Sequence, residues 1–190
     1  MPYDKRVIMT TGIGESFLAD KIKDWEDNLP DFLSLAYLPQ YGTVRLRLSG
    51  RYENAELLHA TLDKETEKLK HMISEYIFAE EDKPIERVVF DLLINKGMTF
   101  ASAESCTGGN IAHVITLIPG SSEVFKGTAV TYATPMKTKV LGVPAETIEQ
   151  HTVVSQQVVE GMAKGVRELM EADFSISRSE ERRVGKECRS

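Results

Sequence analysis

The first part of the chain alternates between the spacing of strands and the spacing of helices. Residues 5–10 (RVIMTT) form a short β-like run, and the Gly-rich turn GIGES follows it. From residue 15 the apolar residues recur at helical intervals as far as Pro30, which is expected to end the run. The apolar side of this predicted helix consists of Phe17, Leu18, Ile22, Trp25 and Leu29.

Two strands and a long helix are predicted next. The segments FLSLAYL and TVRLRLSG are separated by PQYG, and the second alternates apolar and polar residues, which predicts a hairpin. Residues 54–78 then form one amphipathic helix with Asn54 as its N-cap. The order strand, helix, two strands, helix predicts a small α+β domain over residues 1–82. The buried stripe of the long helix is predicted to be Leu58, Leu62, Leu69, Ile73 and Ile77.

A charged segment ending in proline, AEEDKP at residues 79–84, marks the predicted domain boundary. After it, helices alternate with strands, which predicts crossover connections and a mainly parallel sheet. We therefore expect a truncated α/β sandwich domain over residues 83–177. Its predicted helices are 85–97 (closed by Gly97), 108–118, 135–142 and 155–172, its strands are 98–105, 127–133 and one beginning at 173, and 143–152 is a loop.

Residues 178–190 have no apolar periodicity and fit no element of this pattern. They are either a disordered charged tail or a non-native sequence that replaces the true continuation, and we favour the second. An α/β domain is not expected to end one strand into a new repeat.

Composition excludes several classes of function. The net charge of −6 argues against general binding to nucleic acid or acidic membranes, which requires clustered Lys and Arg. No apolar run approaches the roughly 20 residues of a membrane span, and the N-terminus lacks the apolar core of a signal peptide, so a cytoplasmic protein is expected. Cys106 and Cys188 provide neither a disulfide framework nor the spacing of a metal site, and neither a metal nor another cofactor is predicted.

The stretch TFASAESCTGGNIAHVI is the first candidate for chemistry. It places ESCTGG between a strand and a helix, at the strand end where open α/β sheets bind ligands. The free N–H groups of the following helix would favour a phosphate or an oxyanion, and Gly108 and Gly109 would let a ligand approach the backbone. The alternative is a tight turn that simply requires small residues. The spacing alone leaves both interpretations open.

Ser105 in this stretch would need a base to become a nucleophile. Lys137 follows the next strand, whose end should lie beside the Ser105 loop in a parallel sheet, and burial can make a lysine neutral enough for this role. An exposed lysine at the start of a helix is the simpler alternative. No histidine is an obvious base: two are on the long helix of the first domain, one is too far along its helix, and one lacks an assignable carboxylate. These are His59, His71, His113 and His151, respectively.

Cys106 is the competing nucleophile, because a thiol near a helix N-terminus can be activated. Neighbouring side chains at a strand end point in opposite directions, so one of Ser105 and Cys106 should face inward. We expect Cys106 to be the buried packing residue. Tyr132 is first an aromatic residue of the apolar run before Lys137 and only second a catalytic candidate.

Three segments resemble the C-terminal domain of the CinA (competence/damage-inducible) family: ASAESCTGGNIAHVIT, FKGTAVTYATPMKTKVLGVP and ETIEQHTVVSQQVVEGMAKGVREL. They occur in the family's order within residues 84 to about 177. Residues 1–82 resemble the KH-type middle domain of the same family, with MTTGIGES and GTVRLRLSGR among the matching stretches. The resemblance implies a nicotinamide mononucleotide deamidase, which converts its nucleotide substrate and water to nicotinic acid mononucleotide and ammonia without a metal.

The resemblance also implies roles for individual residues. Ser105 would be the nucleophile, Lys137 its general base and later the proton donor to ammonia, and Tyr132 would orient or relay the proton. The backbone N–H groups of the substrate-binding stretch would stabilise the oxyanion. That stretch is Cys106, Thr107, Gly108 and Gly109.

The chain departs from the family after ADFSIS, where the family continues into a Gly-rich loop and further strands that supply a threonine and an arginine to the site. We therefore expect a fragment with weak or no activity. The alternative function is a non-catalytic or RNA-binding module, since a KH-type domain suggests RNA. Such domains use a GxxG loop with basic flanks, whereas TGIGES has GxG followed by an acid, so subunit contacts in a homo-oligomer are favoured instead.

Overall fold

The computed structural model describes residues 1–179, and these divide into a unit spanning Met1–Val88 and a second unit that begins at Val89. Each unit has a sheet of its own. Of the predicted tail, residues 180–190 lie outside the described part. Arg178 ends the last strand and Ser179 is buried.

The first unit is an antiparallel four-stranded sheet with two helices. The strands run in the order β2-β3-β1-β4. Every second residue of β3 is buried, because the helices cover one face of the sheet. This is the predicted α+β arrangement. Its elements are β1 (Tyr3–Thr11), α1 (Glu15–Glu26), β2 (Leu33–Gln40), β3 (Thr43–Arg51), α2 (Ala55–Ile73) and β4 (Ile77–Ala79).

The end of the long helix differs from the prediction. α2 ends at Ile73, a 3₁₀ turn covers Ser74–Tyr76, and the apolar residues that follow form β4. Ile77 therefore pairs with Thr10 of β1 and does not belong to the helical stripe. The reason is tertiary: the free edge of β1 offers backbone groups to pair with, which one more helical turn would leave unpaired. The other four predicted stripe residues are at most 1% exposed.

The first helix also differs from its predicted pattern. Leu18 and Ile22 are fully buried, but Phe17 is 72% exposed. One residue corresponds to a rotation of about 100° around a helix, so Phe17 lies beside the packed face and not on it. α1 ends at Glu26, before the predicted stop at Pro30, because the chain turns there to enter β2.

The predicted N-cap of α2 is confirmed, since the Asn54 side chain accepts a hydrogen bond from Leu57 N at 3.0 Å. Replacing Asn54 with alanine leaves this N–H without its acceptor and is expected to lower the free energy of unfolding by about 1 kcal/mol. Urea denaturation, followed through the fluorescence of Trp25, the single tryptophan, measures the free energy of unfolding of this unit. Asn54→Asp is the matched control and should retain most of the stability; equal stability of Asn54→Ala and the unchanged chain would contradict the prediction.

The second unit has a parallel three-stranded sheet in the order β6-β5-β7, which confirms the predicted mainly parallel α/β arrangement. Helices cover both faces. Ala101 and Ala103 of β5 pack against α7 on one face, and Phe100 packs against α4 on the other. The elements are α3 (Ile85–Lys96), β5 (Phe100–Glu104), α4 (Asn110–Thr116), β6 (Phe125–Val130), α5 (Thr134–Leu141), α6 (Ala145–His151), α7 (Gln156–Leu169) and β7 (Phe174–Arg178).

Two helix boundaries in this unit bear on the predictions. Gly97 has a φ of 61°, and Met98 N donates to Leu93 O at 3.0 Å, which confirms Gly97 as the residue that ends α3. The predicted loop at 143–152 is wrong, since it contains the short helix α6 directly after Pro144. A proline at this position presets the backbone for a helix start.

Within residues 1–179, no helix is long and apolar enough to cross a membrane.

Candidate functional site

Ser105 and Lys137 meet at the carboxyl edge of the parallel sheet. Ser105 directly follows β5, and Lys137 is in the first turns of α5, which follows β6. Because β5 and β6 are parallel neighbours, their ends lie side by side, and Lys137 Nζ is 3.1 Å from Ser105 Oγ. The two side chains are 1% (Lys137) and 6% (Ser105) exposed. The alternative of an exposed helix-start lysine is therefore wrong.

Backbone carbonyls aim the Lys137 amine at the serine. Lys137 Nζ donates to Thr131 O at 2.7 Å and to Tyr132 O at 3.3 Å, both in the turn that connects β6 to α5. A neutral amine has two N–H groups and one lone pair. Two N–H groups bonded to these carbonyls would leave the lone pair for the Ser105 hydroxyl. This is the arrangement that proton abstraction from a serine requires.

The expectation that Cys106 is the buried member of the pair is wrong. Cys106 is exposed, and Ser105 faces inward. Ser105 N donates to Arg178 O and Cys106 N donates to Ser179 O, so the chain still pairs with the β7 side of the sheet where it bends after β5. This pairing holds Ser105 in the sheet, and the turn that begins at Cys106 directs the thiol to solvent. Alternation along a strand predicts that one of the two residues points inward, but it does not decide which one.

The helix after the loop does not offer the free N–H groups that were expected. The N–H groups of Ile111 and Ala112 donate to the carboxylate of Glu104, at 2.9 and 3.0 Å. This buried carboxylate also accepts hydrogen bonds from three hydroxyl groups. Burial by itself would raise the pKa of Glu104, but these hydrogen bonds outweigh it and hold the pKa below its ordinary value. Glu104 is therefore ionised at neutral pH.

The four predicted substrate-binding residues contribute unequally. Cys106 N is bonded to Ser179 O, and Gly108 N is bonded to Ser105 O at 3.1 Å. Within residues 1–179, the N–H groups of Thr107 and Gly109 have no accepting partner. Gly109, with a φ of 101°, is in the left-handed region that favours glycine, so this turn requires its glycine. The backbone donors left for a ligand are those of Thr107 and Gly109.

The Tyr132 side chain is 76% exposed. Among the contacts described for residues 1–179, its carbonyl reaches Lys137, but no hydrogen bond joins its hydroxyl to Ser105 or Lys137. A role of the phenol in orienting or relaying a proton stays a prediction.

Comparison with known proteins identifies the family. The model described as CinA C-terminal domain matches residues 82–179, and the model described as damage-inducible protein CinA KH domain matches residues 5–79. The chain belongs to the CinA family. Two relatives are CinA-like proteins from Flavobacterium psychrophilum and Cytophaga hutchinsonii, which are 47% and 40% identical over 90% and 92% of this chain. The chain spans only 41% and 42% of their lengths.

One solved structure that resembles the CinA chain is a competence or damage-inducible protein from Enterobacter asburiae. It is 33% identical over 48% of this chain and 58% of that protein, with a TM-score of 0.48.

Sequence reasoning about this CinA chain missed Glu104. A signal was present, because Gly109 occupies the N-cap of α4 and has no side chain to accept from the helix. Some other acceptor had to serve the first N–H groups, and Glu104 is the acidic residue of the same motif. None of the hydrogen bonds described for residues 1–179 joins a histidine to Ser105. His71, His113 and His151 are exposed, and His59 Nδ1 is 2.7 Å from Asp4 Oδ2.

Proposed function

We propose that this CinA-family chain is an amidohydrolase that converts nicotinamide mononucleotide and water to nicotinic acid mononucleotide and ammonia. The observation that carries the proposal is the buried Lys137 amine 3.1 Å from Ser105 Oγ. A serine hydroxyl beside a buried amine is suited to acyl transfer. The choice of nicotinamide mononucleotide as substrate is supported by the family resemblance.

In the first half of the proposed reaction, Ser105 Oγ attacks the carboxamide carbon while Lys137 Nζ takes the hydroxyl proton. The N–H groups of Thr107 and Gly109 stabilise the oxygen of the tetrahedral intermediate, since they are the unoccupied donors of the loop. The Lys137 ammonium then returns the proton to the departing nitrogen. The C–N bond breaks, ammonia leaves, and an ester to Ser105 remains.

In the second half, water takes the place of ammonia. Lys137 is neutral again and removes a proton from the water as the water oxygen attacks the ester carbon. Collapse of the second intermediate returns that proton to Ser105 Oγ and releases the acid. Each turnover consumes one amide and one water and restores both side chains.

The decisive experiment measures ammonia release from nicotinamide mononucleotide by the whole chain, by Ser105→Ala and by Cys106→Ala. Ser105→Ala should release none, because it lacks the attacking oxygen. Cys106→Ala should retain the activity of the unchanged chain, because the Cys106 side chain is directed to solvent. Absence of release from the unchanged chain would refute the activity for this chain and would agree with the weak or absent activity expected of it from the sequence. Loss in Cys106→Ala with retention in Ser105→Ala would make the thiol the nucleophile.

We do not propose RNA binding for the first unit. Its helix α1 begins after Gly14, at the loop where a KH-type domain would hold the nucleic acid backbone. The first turn of α1 carries the acidic Glu15. A negative charge there repels a phosphate and interacts favourably with the helix dipole in its place.

A further inference from the structure

The proposed reaction does not use the buried carboxylate that directly precedes the nucleophile. Glu104 is the last residue of β5 and is 0% exposed. It shares a face of the strand with Ser102, whose hydroxyl donates to Glu104 Oε1 at 3.2 Å. A buried carboxylate is costly unless its oxygens are well paired. Five hydrogen bonds to its oxygens offset this cost.

The Glu104 carboxylate holds the nucleophile loop from both ends. Its Oε2 accepts from Thr107 Oγ1 at 2.7 Å, inside the loop, and from Ile111 N at 2.9 Å, in the first turn of α4. Its Oε1 accepts from Ala112 N at 3.0 Å. The loop at 105–109 is thus fixed to the strand before it and to the helix after it by one side chain.

Glu104 is also connected to the carbonyl that orients the base. Thr131 N donates to the backbone O of Glu104 at 2.9 Å, and Thr131 O accepts from Lys137 Nζ at 2.7 Å. On the other side of the same residue, Ser105 carries the hydroxyl that Lys137 contacts. A displacement of Glu104 would therefore move the serine and the lysine relative to each other.

We propose that the Glu104 carboxylate is a positioning residue for the acyl-transfer site, which holds Ser105 Oγ in reach of Lys137 and presents the Thr107 and Gly109 N–H groups to the substrate. This inference rests on Ser105 being the nucleophile proposed above. It does not depend on which amide is the substrate. Misplacement of reacting atoms by about 1 Å can reduce a rate by about 10²-fold, so the carboxylate can matter without touching the substrate.

Reactivity of Ser105 towards an alkyl fluorophosphonate provides a substrate-independent test. In this labelling, Ser105 Oγ forms a bond to phosphorus, the P–F bond breaks, fluoride leaves and Lys137 takes the hydroxyl proton. The rate is measured per folded molecule, with the folded fraction taken from circular dichroism. Glu104→Gln keeps the side-chain size but replaces one accepting oxygen with a donor. It is expected to slow labelling by about tenfold or more.

Asp173→Asn is the matched control. The Asp173 carboxylate accepts from Thr99 N at 2.8 Å and Thr99 Oγ1 at 2.9 Å, at the opposite end of β5. The substitution makes the same change of charge in the same sheet, away from the serine, and should leave the labelling rate of the folded protein unchanged. A loss of stability lowers the folded fraction, for which the labelling rate is already corrected. A positioning role lowers the labelling rate per folded molecule, and it does so in Glu104→Gln but not in Asp173→Asn.

If Glu104→Gln does not fold, Thr107→Val provides the test, since it removes one bond to the carboxylate and keeps the Thr107 N–H. It should then slow labelling. The proposal is overturned if folded Glu104→Gln is labelled at the rate of the unchanged chain. If Glu104→Gln does not fold, the proposal is overturned if Thr107→Val is labelled at that rate. Absence of labelling in the unchanged chain would overturn it together with the serine nucleophile. Labelling of the unchanged chain without ammonia release would leave the serine nucleophile and the role of Glu104 standing and would count only against the release of ammonia from nicotinamide mononucleotide by this chain.

Discussion

Replacing Lys137 with methionine is expected to reduce ammonia release from nicotinamide mononucleotide by about 10³-fold, within the range that a positioned general base contributes. Methionine has nearly the length of lysine and fills the same buried space. It removes the amine that lies 3.1 Å from Ser105 Oγ, so the serine keeps its proton during attack. The change should show mainly in kcat, because the amine acts on the reacting atoms.

Lys139 provides the control for this substitution. It is on the same helix α5, two residues further along, and it is exposed. Lys139→Met should release ammonia at the rate of the unchanged chain. The stability of Lys137→Met reflects two opposing effects, since burying a thioether is less costly than burying an amine, but Thr131 O and Tyr132 O lose their donor. A folded Lys137→Met that retained more than about a tenth of the activity would exclude Lys137 as the general base.

Replacing Gly165 with alanine is expected to lower the free energy of unfolding by about 2 kcal/mol or more, although alanine favours helices by about 1 kcal/mol over glycine. A Cβ at this position of α7 would lie 1.9 Å from Leu141 O and 2.7 Å from its carbonyl carbon. These are backbone atoms at the end of α5, so relief requires α5 to move away from α7. Lys137 is one turn earlier on α5, and its contact with Ser105 should loosen as well.

Gly161→Ala is the matched control, one turn earlier on the same helix. Its Cβ would approach only the Val143 side chain, at 3.4 Å, which can shift slightly. We expect this variant to be as stable as the unchanged chain or more stable by up to about 1 kcal/mol. Thermal denaturation followed by circular dichroism compares the two. Equal stability of Gly165→Ala and Gly161→Ala would mean that the α5–α7 contact is less tight than the structure indicates.

The position of the site was predictable because it follows from the alignment of strand ends in a parallel sheet. A parallel sheet aligns the carboxyl ends of its strands, and this rule alone placed the turn before Lys137 beside the Ser105 loop. The structure brings their side chains together. The same rule does not determine in which direction each side chain points from the strand. It therefore does not decide whether Ser105 or Cys106 faces the interior.

Other parts of the site depended on partners distant in sequence. The inward direction of Ser105 depends on backbone bonds to β7, more than 70 residues later. The helix N–H groups expected to bind an anion are occupied by a carboxylate from the preceding strand. Whether a backbone polar group keeps an open hydrogen-bonding position depends on all of its neighbours in the folded chain. Sequence spacing describes only the neighbours that are close in sequence.

By itself, the sequence determined the α+β unit and the α/β unit, most of their helices and strands, and the loop and lysine that could do chemistry, because hydrophobic periodicity and strand order are local properties. Tertiary structure decided where α2 ends, since the edge of β1 pairs with Ile77–Ala79. It also decided that Lys137 is buried, that Cys106 faces solvent and that the Glu104 carboxylate binds the loop that follows it. Burial and hydrogen-bond pairing are set by contacts between segments, and these exist only once the sheet has formed.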